Sequence, residues 1–121
     1  MKTKYAAHLI MAVRFREGVQ DRFPCFENVV VVDAETDDDA MRAALACGEQ
    51  EAAATEFDWD GRPAIWQFVG VRKLIECRTL GSLENRLEPG TEVTYSQFVL
   101  SSEDDLRKLA DGESVPLTYE E

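Results

Sequence analysis

From residue 5 to residue 16 the chain alternates, with Tyr5, Ala7, Leu9, Met11, Val13 and Phe15 on one side and Ala6, His8, Ile10, Ala12, Arg14 and Arg16 on the other. A period of two is that of a β-strand, whose successive side chains point to opposite faces of a sheet. The polar stretch Glu17-Gly18-Val19-Gln20-Asp21 then predicts a loop. Residues 26–33, with a run of valines from Val29 to Val32, predict a second strand, joined to the first as an antiparallel pair.

The period changes after Ala34. Thr36 followed by Asp39 makes a capping-box-like start in which Asp replaces the usual Glu, and Asp37, Asp38 and Asp39 occupy the first turn, where the helix dipole favours negative charge. Met41, Ala44 and Leu45, with Ala40 beside them, keep the helical period and predict the face that packs on the sheet. Gly48 is expected to end the helix or weaken it, with helical turns on both sides.

Asp60-Gly61 is a hairpin turn signal between a short strand at 55–58 and a longer one at 64–77. The centre of the longer strand, Ile65-Trp66-Gln67-Phe68-Val69-Gly70-Val71, is apolar on both faces, as in a strand covered from both sides or lying at a subunit interface. Residues 81–90 read as a loop closed by Pro89-Gly90, and 92–100 as another strand. Ser102 with Asp105 repeats the capping logic for a helix over 102–110 stopped by Gly112, and alternation at Val115, Leu117 and Tyr119 suits a short edge strand. The expected fold is α+β, an antiparallel sheet of four to five strands with one main helix packed on it and a short C-terminal helix, in the order β-β-α-β-β-β-α. Residues 1–121 are expected to form one domain, with 101–121 a C-terminal extension packed on it or fraying from it.

Charge sharpens this picture. The net charge is −11, but residues 33–60 hold ten acids against one base, and residues 101–121 hold seven acids against two bases. Residues 1–25 and 61–100 are net positive. Such a field repels nucleic acid and anionic lipid and attracts cationic proteins, so neither direct nucleic-acid binding nor membrane binding is expected. Lys2 and Lys4 precede an apolar run as in a signal peptide, but His8 interrupts it and Arg14 and Arg16 close it with no small-x-small cleavage site. A cytoplasmic location is the expectation. It agrees with Cys25, Cys47 and Cys77, three widely spaced cysteines that match neither a disulfide framework nor a zinc-ligand spacing.

These elements carry a resemblance. Tyr5-Ala6-Ala7-x-Leu9, Glu27-Asn28-Val29-Val30-Val31-Val32-x-Ala34 leading into Asp38-Asp39-Ala40, Trp66-x-Phe68-x-Gly70-Val71-x-x-Leu74 and Gly90-Thr91-Glu92-Val93 stand in order over residues 5–99. The chain resembles the uncharacterised bacterial family known as domain of unknown function 4288. The resemblance implies the fold and a bacterial source and lends no catalytic residues; the segment from Ser101 onward is an addition to the shared pattern.

Candidate chemistry is sparse. His8 is the only histidine and has no local nucleophile partner. Asp37-Asp38-Asp39 point about 100° apart on a helix and lack the ligand alternation of a calcium loop, and Asp58-Trp59-Asp60-Gly61 begins such a loop but has Val69 where the closing glutamate belongs. No metal or other cofactor is expected. No phosphate loop, nucleophile elbow, Cys-x-x-Cys or His-Glu-x-x-His motif occurs.

Trp59, at a hairpin tip between two acids, suits contact with a cationic partner. The sequence therefore points first to a non-catalytic protein-binding module that recognises a basic protein through Asp37, Asp38, Asp39, Glu49, Glu51, Asp58, Trp59 and Asp60. Toxin-neutralising immunity proteins share this profile, with acidic charge steering association. The alternative is a small-molecule or metal-sensing domain, possibly enzymatic, with a pocket between sheet and helix involving His8, Arg72 and Tyr95. A homodimer formed through the doubly apolar strand is a third expectation.

Overall fold

A computed structural model describes residues 2–53, 56–77 and 88–120 of the chain. The first strand, β1 (Thr3–Phe15), pairs antiparallel with β2 (Phe23–Ala34), and α1 (Asp37–Ala52) follows. Then come β3 (Phe57–Trp59), β4 (Arg62–Glu76), β5 (Glu92–Leu100), α2 (Glu103–Ala110) and β6 (Thr118–Glu120). The strands form one antiparallel sheet in the order β3-β4-β1-β2-β5-β6, which places β1 and β2 at its centre.

The expected α+β class and antiparallel sheet are present, with two helices, but the sheet has six strands rather than four to five. The extra strand is β6, which pairs Gln97, Phe98 and Val99 with Glu120, Tyr119 and Thr118, and so covers part of an edge that β5 would otherwise leave open. β2 starts at Phe23, ahead of the expected strand, because Phe23 and Cys25 are buried on the face that α2 covers. The expected loop over 81–90 falls largely on residues 78–87, outside the described residues. Its closing turn is present, and the Gly90 N–H donates to the Val31 carbonyl at 2.7 Å. Residue 55, expected to begin the short strand at 55–58, and residue 54 before it also lie outside the described residues.

The helices pack on opposite faces. Tyr5, Ala7 and Leu9 of β1, with Val30, Val32 and Ala34 of β2, lie under α1, which contributes Ala40 and Ala44. Ile10 and Ala12, the alternate positions of β1, lie with Phe23, Cys25, Phe98 and Leu100 under Leu106, Leu109 and Ala110 of α2. Each helix begins as its sequence predicts. Thr36 Oγ1 accepts from the Asp39 N–H at 3.1 Å, and Ser102 Oγ accepts from the Asp105 N–H at 3.1 Å.

The doubly apolar strand is β4, and two β-bulges explain its pattern. The pairing with β1 shifts between His8 and Leu9 and again between Ile10 and Met11, which leaves Arg72 and Val69 as extra residues on β4. Each extra residue resets the alternation. Trp66, Phe68, Val71 and Leu74, paired with Val13, Met11, Leu9 and Ala7, therefore all face the α1 side, while Val69 packs against the α2 core. Arg72 turns toward α2 as well, donating to the carbonyls of Leu109 and Glu113 and so holding the C-terminal end of that helix. At the hairpin between β3 and β4, Asp60 and Gly61 both take positive φ, 51° and 79°, as a type I′ turn requires.

Gly48 neither ends nor interrupts α1, which continues to Ala52. The glycine is buried against the Phe68 ring, so close that an added Cβ would overlap the ring. Replacement by alanine should gain about 1 kcal/mol of helix propensity but incur overpacking of about 1–3 kcal/mol. Gly48→Ala is expected to destabilise the wild-type protein by up to about 2 kcal/mol in urea unfolding, and to become neutral or stabilising when combined with Phe68→Leu. A stabilised single variant would show that the ring does not set this position.

Candidate functional site

β1 is thirteen residues long, about 44 Å at strand rise, whereas the sixteen residues of α1 span about 24 Å. α1 starts over Tyr5, whose hydroxyl donates to Asp37 Oδ1 at 2.8 Å, and runs out near Met11. Beyond its C-terminal turn the same face carries aromatic rings. Phe26, paired with Met11, is the hub: Trp66 lies 5.3 Å away edge-to-face, Trp59 6.0 Å away edge-to-face, and Tyr95 6.0 Å away at a 44° tilt. Phe57 stacks on the other side of Trp66 at 4.9 Å. These rings do what a helix does elsewhere, keeping Met11 and Val13 almost wholly from solvent.

Two grooves open on this face. One, of 270 Å³, is lined by Met11, Phe26, Asn28, Trp66 and Tyr95 together with two carboxylates, Glu51 from the last turn of α1 and Glu92 from the start of β5. The other, of 480 Å³, lies beyond Trp59, where Asp21, Asp60 and Glu120 face Arg22 and Arg62. Arg62 is already engaged, with its guanidinium 3.7 Å over the Phe15 ring and a bond to the Glu17 carbonyl at 2.9 Å.

The electrostatics of the two grooves differ accordingly. Partial burial, and secondarily the negative charge of Glu51, push the Glu92 carboxyl above the usual carboxylate range. No ion pair to Glu51 or Glu92 occurs among the described residues.

The acidic residues singled out in the sequence do not form one surface. Asp37, Asp38 and Asp39 lie at the start of α1, about 20 Å along the axis from Glu51. Asp37 accepts from Tyr5, and Asp39 pairs with Arg42, whose bond holds its carboxyl below the usual range. Asp58 accepts from the Gly61 N–H at 3.1 Å and so serves the turn. Glu49 is exposed on α1. Only Glu51, Trp59 and Asp60 reach the aromatic face. Trp59 is half-buried against Phe26 because its position in β3 directs the indole onto the sheet.

The expected pocket of His8, Arg72 and Tyr95 is not assembled. Tyr95 pairs with Asn28 and faces the aromatic side, whereas His8 and Arg72 face the α2 side. His8 Nδ1 lies 2.7 Å from Glu27 Oε2, and Arg72 is taken up by α2. Burial, with a smaller contribution from Glu27, pushes the Cys25 thiol up to about 12, which makes it unreactive, and burial raises the Cys47 thiol as well. Among the described residues no three of His, Cys, Asp or Glu converge as metal ligands, and no helix is long and apolar enough to cross a membrane.

Phe26, Asn28, Trp66 and Glu92 were missed as site residues. The signal for the first three is parity: counted through the antiparallel pairing and the β4 bulges, they share a face with Met11. Nothing in the sequence brings Glu51 and Glu92 together, since that contact depends on where α1 ends over the sheet.

Residues 4–94 match the family described as Domain of unknown function (DUF4288), and the chain belongs to it. No curated protein and no solved structure matches the chain. The matched region includes every lining residue of the smaller groove except Tyr95 and stops short of α2 and β6.

A carboxyl whose folded pKa lies above its unfolded value binds its proton more tightly when folded. Its contribution to stability is therefore present below the unfolded pKa and is lost as pH rises through the folded pKa. Glu92→Gln removes a like-charge neighbour of Glu51 and should raise the urea midpoint at pH 7, an advantage that shrinks toward pH 4. A gain independent of pH would mean that Glu92 is not held near Glu51.

Proposed function

We propose that this member of the DUF4288 family is a non-catalytic binding module that recognises a basic protein through the aromatic, acid-rimmed face beyond the end of α1. The observation that carries the reading is the array of Phe26, Trp66, Trp59 and Tyr95, with Tyr95 58% exposed, beside carboxylates with no basic partner among the described residues. Aromatic side chains that keep a face open while flanked by unpaired charge provide the anchors and the electrostatic selectivity of an interface. The overall charge of −11 adds long-range steering toward a cationic partner. The initial acidic surface is narrowed by this reading, since Asp37, Asp38 and Asp39 contribute to the field and Glu51, Trp59 and Asp60 to the contact.

The reading distinguishes local recognition from bulk attraction. Glu92→Lys and Asp38→Lys change net charge equally but at opposite ends of α1. Binding to a lysine-rich 20-residue peptide, followed by fluorescence anisotropy, should weaken at least tenfold with Glu92→Lys and less than threefold with Asp38→Lys, and should fall steeply with salt. Equal losses for the two variants would reduce the interaction to net charge and remove the proposed site.

A further inference from the structure

We propose that the 270 Å³ groove between the end of α1 and the start of β5 is a receptor for one alkylammonium group, the side chain of a lysine on the basic partner. This rests on the reading above and specifies what the face grips. The floor is Phe26 and Met11. Trp66 stands at 78° to Phe26 and Tyr95 at 44°, so the rings lining the groove are not coplanar and do not form one flat shelf. A groove lined by non-coplanar rings suits a compact cation, whereas a planar guanidinium gains most by stacking on a single extended face.

The carboxylates complete the complement. Glu51 and Glu92 approach the groove from two different elements, and burial together with their mutual repulsion holds the Glu92 carboxyl above its usual range. A cation seated between them offsets that repulsion and favours the ionised carboxylates, so binding becomes weaker as the solution is acidified. Asn28 is the remaining polar lining residue and Tyr95 the remaining titratable one. The four-carbon stem of lysine lies along Phe26 and Tyr95 while its ammonium reaches the acids, the arrangement by which long basic side chains bury their apolar part.

The probe is n-butylammonium, with n-butanol as its uncharged isostere and n-butylguanidinium as the planar cation, each titrated into the full chain and followed by tryptophan fluorescence and NMR shifts of the Trp66 indole and Tyr95 ring. Saturable butylammonium binding in roughly the millimolar range is expected, given the few heavy atoms of the probe. Butanol and butylguanidinium should bind at least fivefold more weakly. Glu51→Gln with Glu92→Gln, and separately Tyr95→Ala, should each weaken butylammonium binding at least fivefold while the circular dichroism spectrum is unchanged. Acidification from pH 7 to pH 4.5 should weaken binding to the wild type but not to the double variant. Equal binding of butanol, preference for butylguanidinium, or shifts confined to residues outside the groove would overturn the assignment. If butylammonium fails while the lysine-rich peptide still discriminates Glu92→Lys from Asp38→Lys, the groove is not the lysine receptor and the wider interface stands. If both fail, the interface falls too.

Discussion

One mismatch of lengths governs this molecule: a central strand buried on both faces is longer than either helix available to cover it. α1 lies over Tyr5, Ala7 and Leu9, and α2 lies on the opposite face over Ile10 and Ala12. The helices are thus placed diagonally, one on each face and toward opposite ends of β1. Close packing requires the two remaining quarters of the sheet to be closed by other means. On the α2 side the residual quarter carries the cross-strand pairs Lys4–Asp33 and His8–Glu27. On the α1 side the residual quarter is closed by aromatic rings.

The bulges of β4 make that aromatic closure possible. A regular strand would turn Phe68, Val71 and Leu74 alternately to the two faces, since they stand three residues apart. With Val69 and Arg72 as extra residues, all three join Trp66 on the α1 side, and the residues released by the bulges serve the other face. Val69 enters the α2 core and Arg72 secures the helix end. The same bulge region contains Gly70, where an added Cβ would lie 3.2 Å from the Ala110 Cβ, so α2 can approach the sheet closely.

Local signals were legible and register was not. Thr36 and Ser102 marked both helix starts because capping is a contact within three residues, and Asp60-Gly61 marked its hairpin because the turn itself demands positive φ. β5 was placed residue for residue. The helical turns expected on both sides of Gly48 are present, but helix propensity is a local quantity and does not show the glycine's burial against Phe68, which is tertiary. The spacing Trp66-x-Phe68-x-Gly70-Val71-x-x-Leu74 contained both bulges, yet a change of period from two to three becomes readable only when the partner strand fixes which residues are extra. The site depended on the same information. His8 and Tyr95 fall on opposite faces through strand register alone, and Arg72 could not be recognised as a helix anchor until α2 lay beneath it.

The two uncovered quarters also differ in what they can gain from another molecule. Lys4 and His8 already have carboxylate partners within 3.1 Å, so a binding partner there would have to break existing contacts before making its own. Glu51 and Glu92 instead repel one another, and no cation lies over the rings beside them among the described residues. A positive group entering that groove relieves a repulsion and forms cation–π contacts in the same step. Recognition is therefore favoured where the helix stops short, and the covering problem and the binding reading have a common origin in the length of β1.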